Sequence, residues 1–160
     1  MNSTDYKNSA FPYAQVRFAD IQLLRYRVPA FQDLSLGQKQ YVYHLAEAAL
    51  CGRDILWDQN CRHNLAIRHL LEDILQHSDV VHEGKDWEAF LTYLRQVWFA
   101  NGIHHHYSTD KFQPAFSAEW FGQAYRAIPS PVIGTEEFER LAEVITNPSV
   151  MPKRVCQSGD

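Results

Sequence analysis

The sequence is poor in several things, and each shortage closes off a class of function. Cysteine occurs only at Cys51, Cys61 and Cys156, an odd number without C-x-x-C spacing, so no disulfide framework is expected. Reduced thiols of a cytosol-like compartment fit this usage, and a cytoplasmic location follows as the expectation. No apolar run approaches the roughly 18 residues that a membrane-spanning helix needs, and the Asn- and Ser-rich start has no apolar core to serve as a signal peptide. Positive charge is also scarce: 15 Lys and Arg stand against 19 Asp and Glu, giving a net charge of −4. With no basic stripe dense enough to follow a phosphate backbone, neither nucleic acid nor membrane is an expected partner. There is no G-x-S-x-G, no glycine-rich phosphate loop, and no His beside Cys51 or Cys61 in a catalytic frame.

What is present is apolar and largely helical in period. With 46% hydrophobic and 13% aromatic residues, the chain of 160 can fill one real core. Residues 1–15 read as a disordered leader, because they lack periodicity and Pro12 interrupts them. Phe18, Ile21, Leu24 and Val28 then recur at spacings of three and four, which predicts a short helix, with an extended segment from Ile21 to Val28 as the alternative. Ser35 and Gln38 form a capping box for a helix whose stripe is Tyr41, Val42, Leu45, Ala48 and Ala49, continued past Gly52 by Ile55 and Leu56. Asn64 is the expected cap of a helix carrying Leu65, Ile67, Leu70, Leu71, Ile74 and Leu75. Asp86 is the expected cap of the next, with Phe90, Leu91, Tyr93, Leu94, Val97 and Trp98 inward. Ser117 caps a short helix with Trp120, Phe121 and Tyr125, and Thr135 begins another with Phe138, Leu141, Val144 and Ile145. The expected fold is therefore mainly α, an irregular bundle of five or six helices over residues 16–148, followed by an irregular truncated tail at residues 149–160.

Chemistry concentrates between residues 98 and 114. An apolar helix reaches Asn101-Gly102, where Gly accepts the left-handed backbone that ends a helix and Asn tolerates it. His104, His105, His106, Tyr107, Ser108, Thr109, Asp110 and Lys111 follow in a loop. Consecutive side chains diverge on any regular backbone, so the three imidazoles could offer one ion at most two ligands, and no metal site is expected. Asp110 and Lys111 could hold the loop by charge-assisted bonds or meet a ligand terminus. His44 with Glu47, and His69 with Glu72 and Asp73, are read as solvated pairs on helix surfaces.

Asn101-Gly102, Tyr107, Asp110-Lys111-Phe112 and Pro114 together resemble a segment in the N-terminal third of the dipeptidyl-peptidase III family of zinc exopeptidases. Tyr41-x-Tyr43-His44-Leu45-x-x-Ala48-Ala49 is similar to the same family, and Gly52-Arg53-Asp54-Ile55-Leu56 to its bacterial branch. The resemblance spans roughly residues 18–153. It implies helical scaffold from one lobe of a larger two-lobed enzyme, in which a zinc-bound water attacks the second peptide bond from a free amino end. The family's H-E-x-x-G-H and E-E-x-R-A-[DE] motifs are missing: His82-Glu83-Gly84-Lys85-Asp86-Trp87 has no second His, and Glu136-Glu137-Phe138-Glu139-Arg140 breaks after the acid pair. The resemblance thus implies an inactive segment that binds no cofactor itself, with zinc, the catalytic residues and the peptide substrate belonging to the full-length parent. Its expected partner is the remainder of that enzyme. Candidates for facing the substrate cleft are Asn101, His104, His106, Tyr107, Asp110 and Lys111. The competing expectation is a self-standing helical interaction module without catalysis.

Overall fold

The computed structural model describes residues 11–77, 79–80 and 82–154, so the first ten residues of the expected leader, the end of the expected tail and Cys156 lie outside the described residues. The protein is mainly α, an irregular helical bundle with one small sheet, and it divides into two units, Met1–Leu50 and Cys51–Asp160.

The first unit begins with β1 (Ala14–Phe18) and β2 (Ile21–Leu24), an antiparallel hairpin in place of the expected helix; β2 lies within the extended alternative of Ile21 to Val28, and β1 was not foreseen. The reason lies in the turn. A two-residue connection, with Ala19 at φ 48°, places Phe18 directly opposite Ile21, so a sequence spacing of three becomes a cross-strand pair. These two are the buried hydrophobic residues of this unit among those described. A 3-10 turn at Pro29–Phe31 leads to α1 (Leu36–Cys51). The capping box forms as the sequence predicts: Ser35 N donates to Gln38 Oε1 at 2.9 Å and Gln38 N to Ser35 Oγ at 3.3 Å. The apolar stripe of α1 buries nothing, and Tyr41 is 66% exposed.

The second unit packs α2 (Arg53–Asn60), α3 (Asn64–Gln76), α4 (Lys85–Ala100), α5 (Ala118–Ala127) and α6 (Thr135–Thr146) around one core. The predicted stripes supply it. Ile67, Leu70, Leu71 and Ile74 of α3 meet Phe90, Tyr93, Leu94 and Val97 of α4, with Phe121, Tyr125, Phe138, Leu141 and Ile145 from α5 and α6. Tyr125 and Phe138 stack at 3.9 Å, and Trp87, Phe90, Phe116 and Trp120 form a second aromatic group, with neighbouring rings 5.3–6.3 Å apart, that Phe121 links to this pair. Ser117 caps α5 by accepting from Trp120 N at 3.1 Å. Asp86 does not cap α4. It lies in the first turn and accepts from Ser117 N at 2.7 Å, joining the start of α4 to the start of α5.

Asn64 is not a cap either. It is the first residue of α3 and fully buried, and its amide ties three elements together. Nδ2 donates to Trp57 O at 3.1 Å and to Asn101 O at 3.4 Å, while Oδ1 accepts from Ile103 N at 3.2 Å. This close approach requires Gly102, at φ 150°, where a Cβ would lie 2.1 Å from Asn64 Nδ2. Gly84, at φ 90°, has open space where its Cβ would be. Gly84→Ala should therefore cost the backbone strain alone, about 1–3 kcal/mol, and Gly102→Ala clearly more, because the methyl also displaces a buried amide. Urea unfolding of the two variants checks this, and equal losses would refute the steric part of the account.

Candidate functional site

The end of α4 delivers the chain to the loop as its sequence requires. Asn101 takes the left-handed conformation at φ 53°, and Gly102 N closes back on Val97 O at 3.0 Å. Ile103 is fully buried, and beyond it the loop folds into a narrow hairpin. Phe112 N donates to Ile103 O at 2.9 Å, His105 N to Asp110 O at 2.8 Å, and Thr109 N to His105 O at 3.0 Å. The chain after α6 then adds to its edge: Lys111 N donates to Pro152 O at 2.8 Å and Arg154 N to Thr109 O at 2.9 Å. Residues 149–154 are irregular and are tied into the fold by these bonds.

The structure separates the six candidate residues. Lys111 does not pair with Asp110; alternation along the strand sends the two in opposite directions. Only 6% of Lys111 is exposed, and its ammonium donates to Val144 O at 2.9 Å, to Val150 O at 2.6 Å and to Asn147 O. It therefore closes the C-terminal end of α6 and holds the turn that follows. Burial pushes the Lys111 ammonium below its usual value, with Glu143 opposing, while three carbonyls match the three N–H donors of the charged form. Asp110 is exposed and pairs with Lys153 at 3.2 Å; the Ser108 hydroxyl, then Lys153, hold its carboxyl below the usual range.

His104 is buried, with Nε2 2.9 Å from Met151 O, so Nε2 carries the proton and Nδ1 is left without a partner. Burial is the main cause that lowers its pKa. His105 Nδ1 accepts from Tyr107 N and Ser108 N, both at 3.1 Å, which shapes the loop tip. His106 meets Phe99 edge-on at 4.9 Å and Tyr107 at 4.4 Å, and Tyr107 is 85% exposed. Of the six, His106 and Tyr107 lie together on an aromatic surface beside Phe99, Asp110 is an exposed ion pair, and His104 and Lys111 are structural.

Among the described residues no group of three His, Cys, Asp and Glu gathers that could hold a metal ion. His82 lies flat on Trp87 at 4.1 Å. Asp73, expected on a solvated face, is buried, with Oδ1 3.1 Å from His77 Nδ1 and Oδ2 accepting from Val132 N at 2.9 Å.

The sequence reading missed a polar recess at the junction of α2, α3 and α4, lined by Arg53, Trp57, Arg68, Glu72, Trp98 and Asn101. Asn101 alone was a candidate, and its side chain lines this recess although its backbone belongs to the loop. The other five carried no local signal, since three helices far apart in sequence contribute them. Comparison with protein-family models gives no match, and neither does comparison with curated proteins.

Two outcomes test this assignment. Lys111→Met should lose about 3 kcal/mol or more in urea unfolding, because buried carbonyls are left unpaired, and Lys111→Arg should not restore it, since a planar fork cannot reproduce the tripod. A loss under about 1 kcal/mol in Lys111→Met would mean that the clamp holds nothing. The buried His104 and His63 both have folded pKa values lowered chiefly by burial, so the unfolded chain binds protons that the folded chain refuses. Their contribution is complete above the ordinary His value of about 6.5 and is lost as pH falls from there toward the lowered folded values. Stability measured from about pH 8 to about pH 5 should drop below that point, and His104→Gln should flatten the drop without abolishing it, because His63 remains.

Proposed function

We propose that the chain is a non-catalytic helical scaffold segment of a dipeptidyl-peptidase III-like zinc exopeptidase, which releases dipeptides from the free amino end of peptides, and that its expected partner is the remainder of that enzyme. The observation that carries this reading is the unburied apolar stripe of α1. Tyr41, Val42, Leu45 and Leu50 are all exposed, and no residue of the helix is buried. A helix of this length draws its stability from packing an apolar face, and nothing in its own unit covers it. Tyr41 and Leu45 are also among the residues that resemble the family. Tyr41, Tyr43, His44, Leu45, Ala48 and Ala49 have no role in a core of their own unit, which fits a face kept for a larger body.

On this reading the chain supplies architecture, while zinc, the general base and the carboxylate ligand lie in the parent. The exposed Tyr107, with the half-buried His106 against its ring, is the part of the loop that would meet a cleft. Purified alone, the chain should release no dipeptide from a dipeptidyl-arylamide. It should also bind a hydrophobic dye and self-associate with rising concentration, and Val42→Ser with Leu45→Ser should relieve both effects. The reading frame that encodes Asp160 should continue into H-E-x-x-G-H. A stop codon directly after it, together with a dye-silent monomer, would overturn the scaffold reading in favour of a self-standing interaction module.

A further inference from the structure

The recess at the α2, α3 and α4 junction has a volume of about 300 Å³, and its Arg68, Glu72 and Trp98 side chains are held in place. Arg68 Nε donates to Glu72 Oε1 at 2.9 Å and Arg68 Nη1 to Asp54 Oδ1 at 2.9 Å, and the guanidinium lies over the Trp57 ring at 5.4 Å. Trp98 Nε1 donates to the same Glu72 oxygen at 2.9 Å, so the indole cannot swing freely. The hydrogen bond to Glu72 is the first cause of a raised Arg68 pKa.

Donors remain unused. The Arg53 guanidinium and the Asn101 carboxamide make no hydrogen bond or ion pair among the described residues, and Arg68 Nη2 is likewise unengaged. The lining carries two guanidiniums against one carboxylate, whose Oε1 accepts from both Arg68 and Trp98, while Asp54, outside the lining, pairs with Arg68. The Trp98 indole, 40% exposed, provides a flat apolar wall next to these donors.

We propose that this recess binds a small planar carboxylate, with the carboxylate on Arg53 and the planar body against Trp98. A guanidinium presents paired N–H donors that match a carboxylate, and such charge-assisted bonds are about twice as strong as neutral ones. A volume at the lower limit of ligand pockets confines the occupant to about one ring. The proposal rests on the geometry of this recess and is independent of the family reading.

Benzoate titrated into the ¹⁵N-labelled chain tests it, with benzamide as the uncharged isostere. Benzoate should give saturable shifts centred on the Trp98 indole N–H and Asn101, with Kd on the order of millimolar for so small a ligand. Benzamide should bind about tenfold more weakly or not at all. Arg53→Met, which keeps the apolar stem, should weaken benzoate by about tenfold, and Trp98→Leu should weaken it while circular dichroism stays unchanged. Non-saturating or scattered shifts would overturn the proposal. So would equal binding of benzamide, or an Arg53→Met variant that binds benzoate as the parent chain does.

Discussion

A single ammonium buried beside the core decides how the C-terminal half of this protein is arranged. An uncompensated charge there would cost several kcal/mol or more, so Lys111 must find acceptors, and those within reach are carbonyls of the last turn of α6 and of the turn that follows it. Val144 O, Asn147 O and Val150 O converge on it. Each side solves the other's problem, since helix ends leave carbonyls unsatisfied and a lysine ammonium has three donors. The geometric consequence reaches further. Fixing the turn at 147–150 brings Pro152 to the Lys111 N–H and Arg154 to Thr109 O, and Met151 O to His104. One charge thereby orders the loop, the end of α6 and the segment after it as a unit.

Asn64 does the corresponding work on the other side of the same loop. Its amide joins the end of α2, the cap of α4 and the first loop residue through Trp57 O, Asn101 O and Ile103 N. Asn60 adds a second bond to Asn101 O at 3.2 Å. With α4 ending against α2 and α3 in this way, Trp98 and Asn101 must stand beside Arg53 and Arg68. The polar recess is thus a by-product of how the helix ends are satisfied.

How much of this was legible depended on the range of the interaction. Stripes and terminators are local, and the helices from α3 to α6 follow them, while the stripe read through Gly52 is split between α1 and α2 and stays exposed; Ser35 with Gln38, the Asn101-Gly102 break, and Ser117 act as their sequence spacing predicts. The misreadings arise where one local pattern serves two geometries. A spacing of three between Phe18 and Ile21 fits a helical face, yet a two-residue turn makes them cross-strand partners. A polar residue before an apolar run reads as a cap, yet Asn64 and Asp86 spend their side chains on distant backbone groups. In the loop, the adjacency of Asp110 and Lys111 suggested a pair, while strand alternation sends one to solvent and the other to the core. No sequence pattern could show that the acceptors of Lys111 lie more than thirty residues away.

The residues that carry the family resemblance divide by physical role, and the division bears on what the chain is for. Asn101, Gly102, Lys111 and Phe112 are accounted for within the second unit, as a cap, a close approach, a clamp and a core ring. A self-sufficient domain would need these four whatever its function, so they weigh little between scaffold and interaction module. Tyr41, Tyr43, Leu45, Ala48 and Ala49 are different, since no bond or core of their own unit uses them. A helix with four small or aromatic positions on its faces is costly to leave in water, and solubility alone would favour charge there. The pattern makes sense when another surface closes over it. In the scaffold reading that surface belongs to the same polypeptide, so its local concentration is fixed by the chain and the face can remain broad, apolar and poor in charged groups. A module that must find a separate partner would gain more from charge placed at the rim for steering. With Lys39 and Glu47 as the charged residues of α1, the helix fits the first description better.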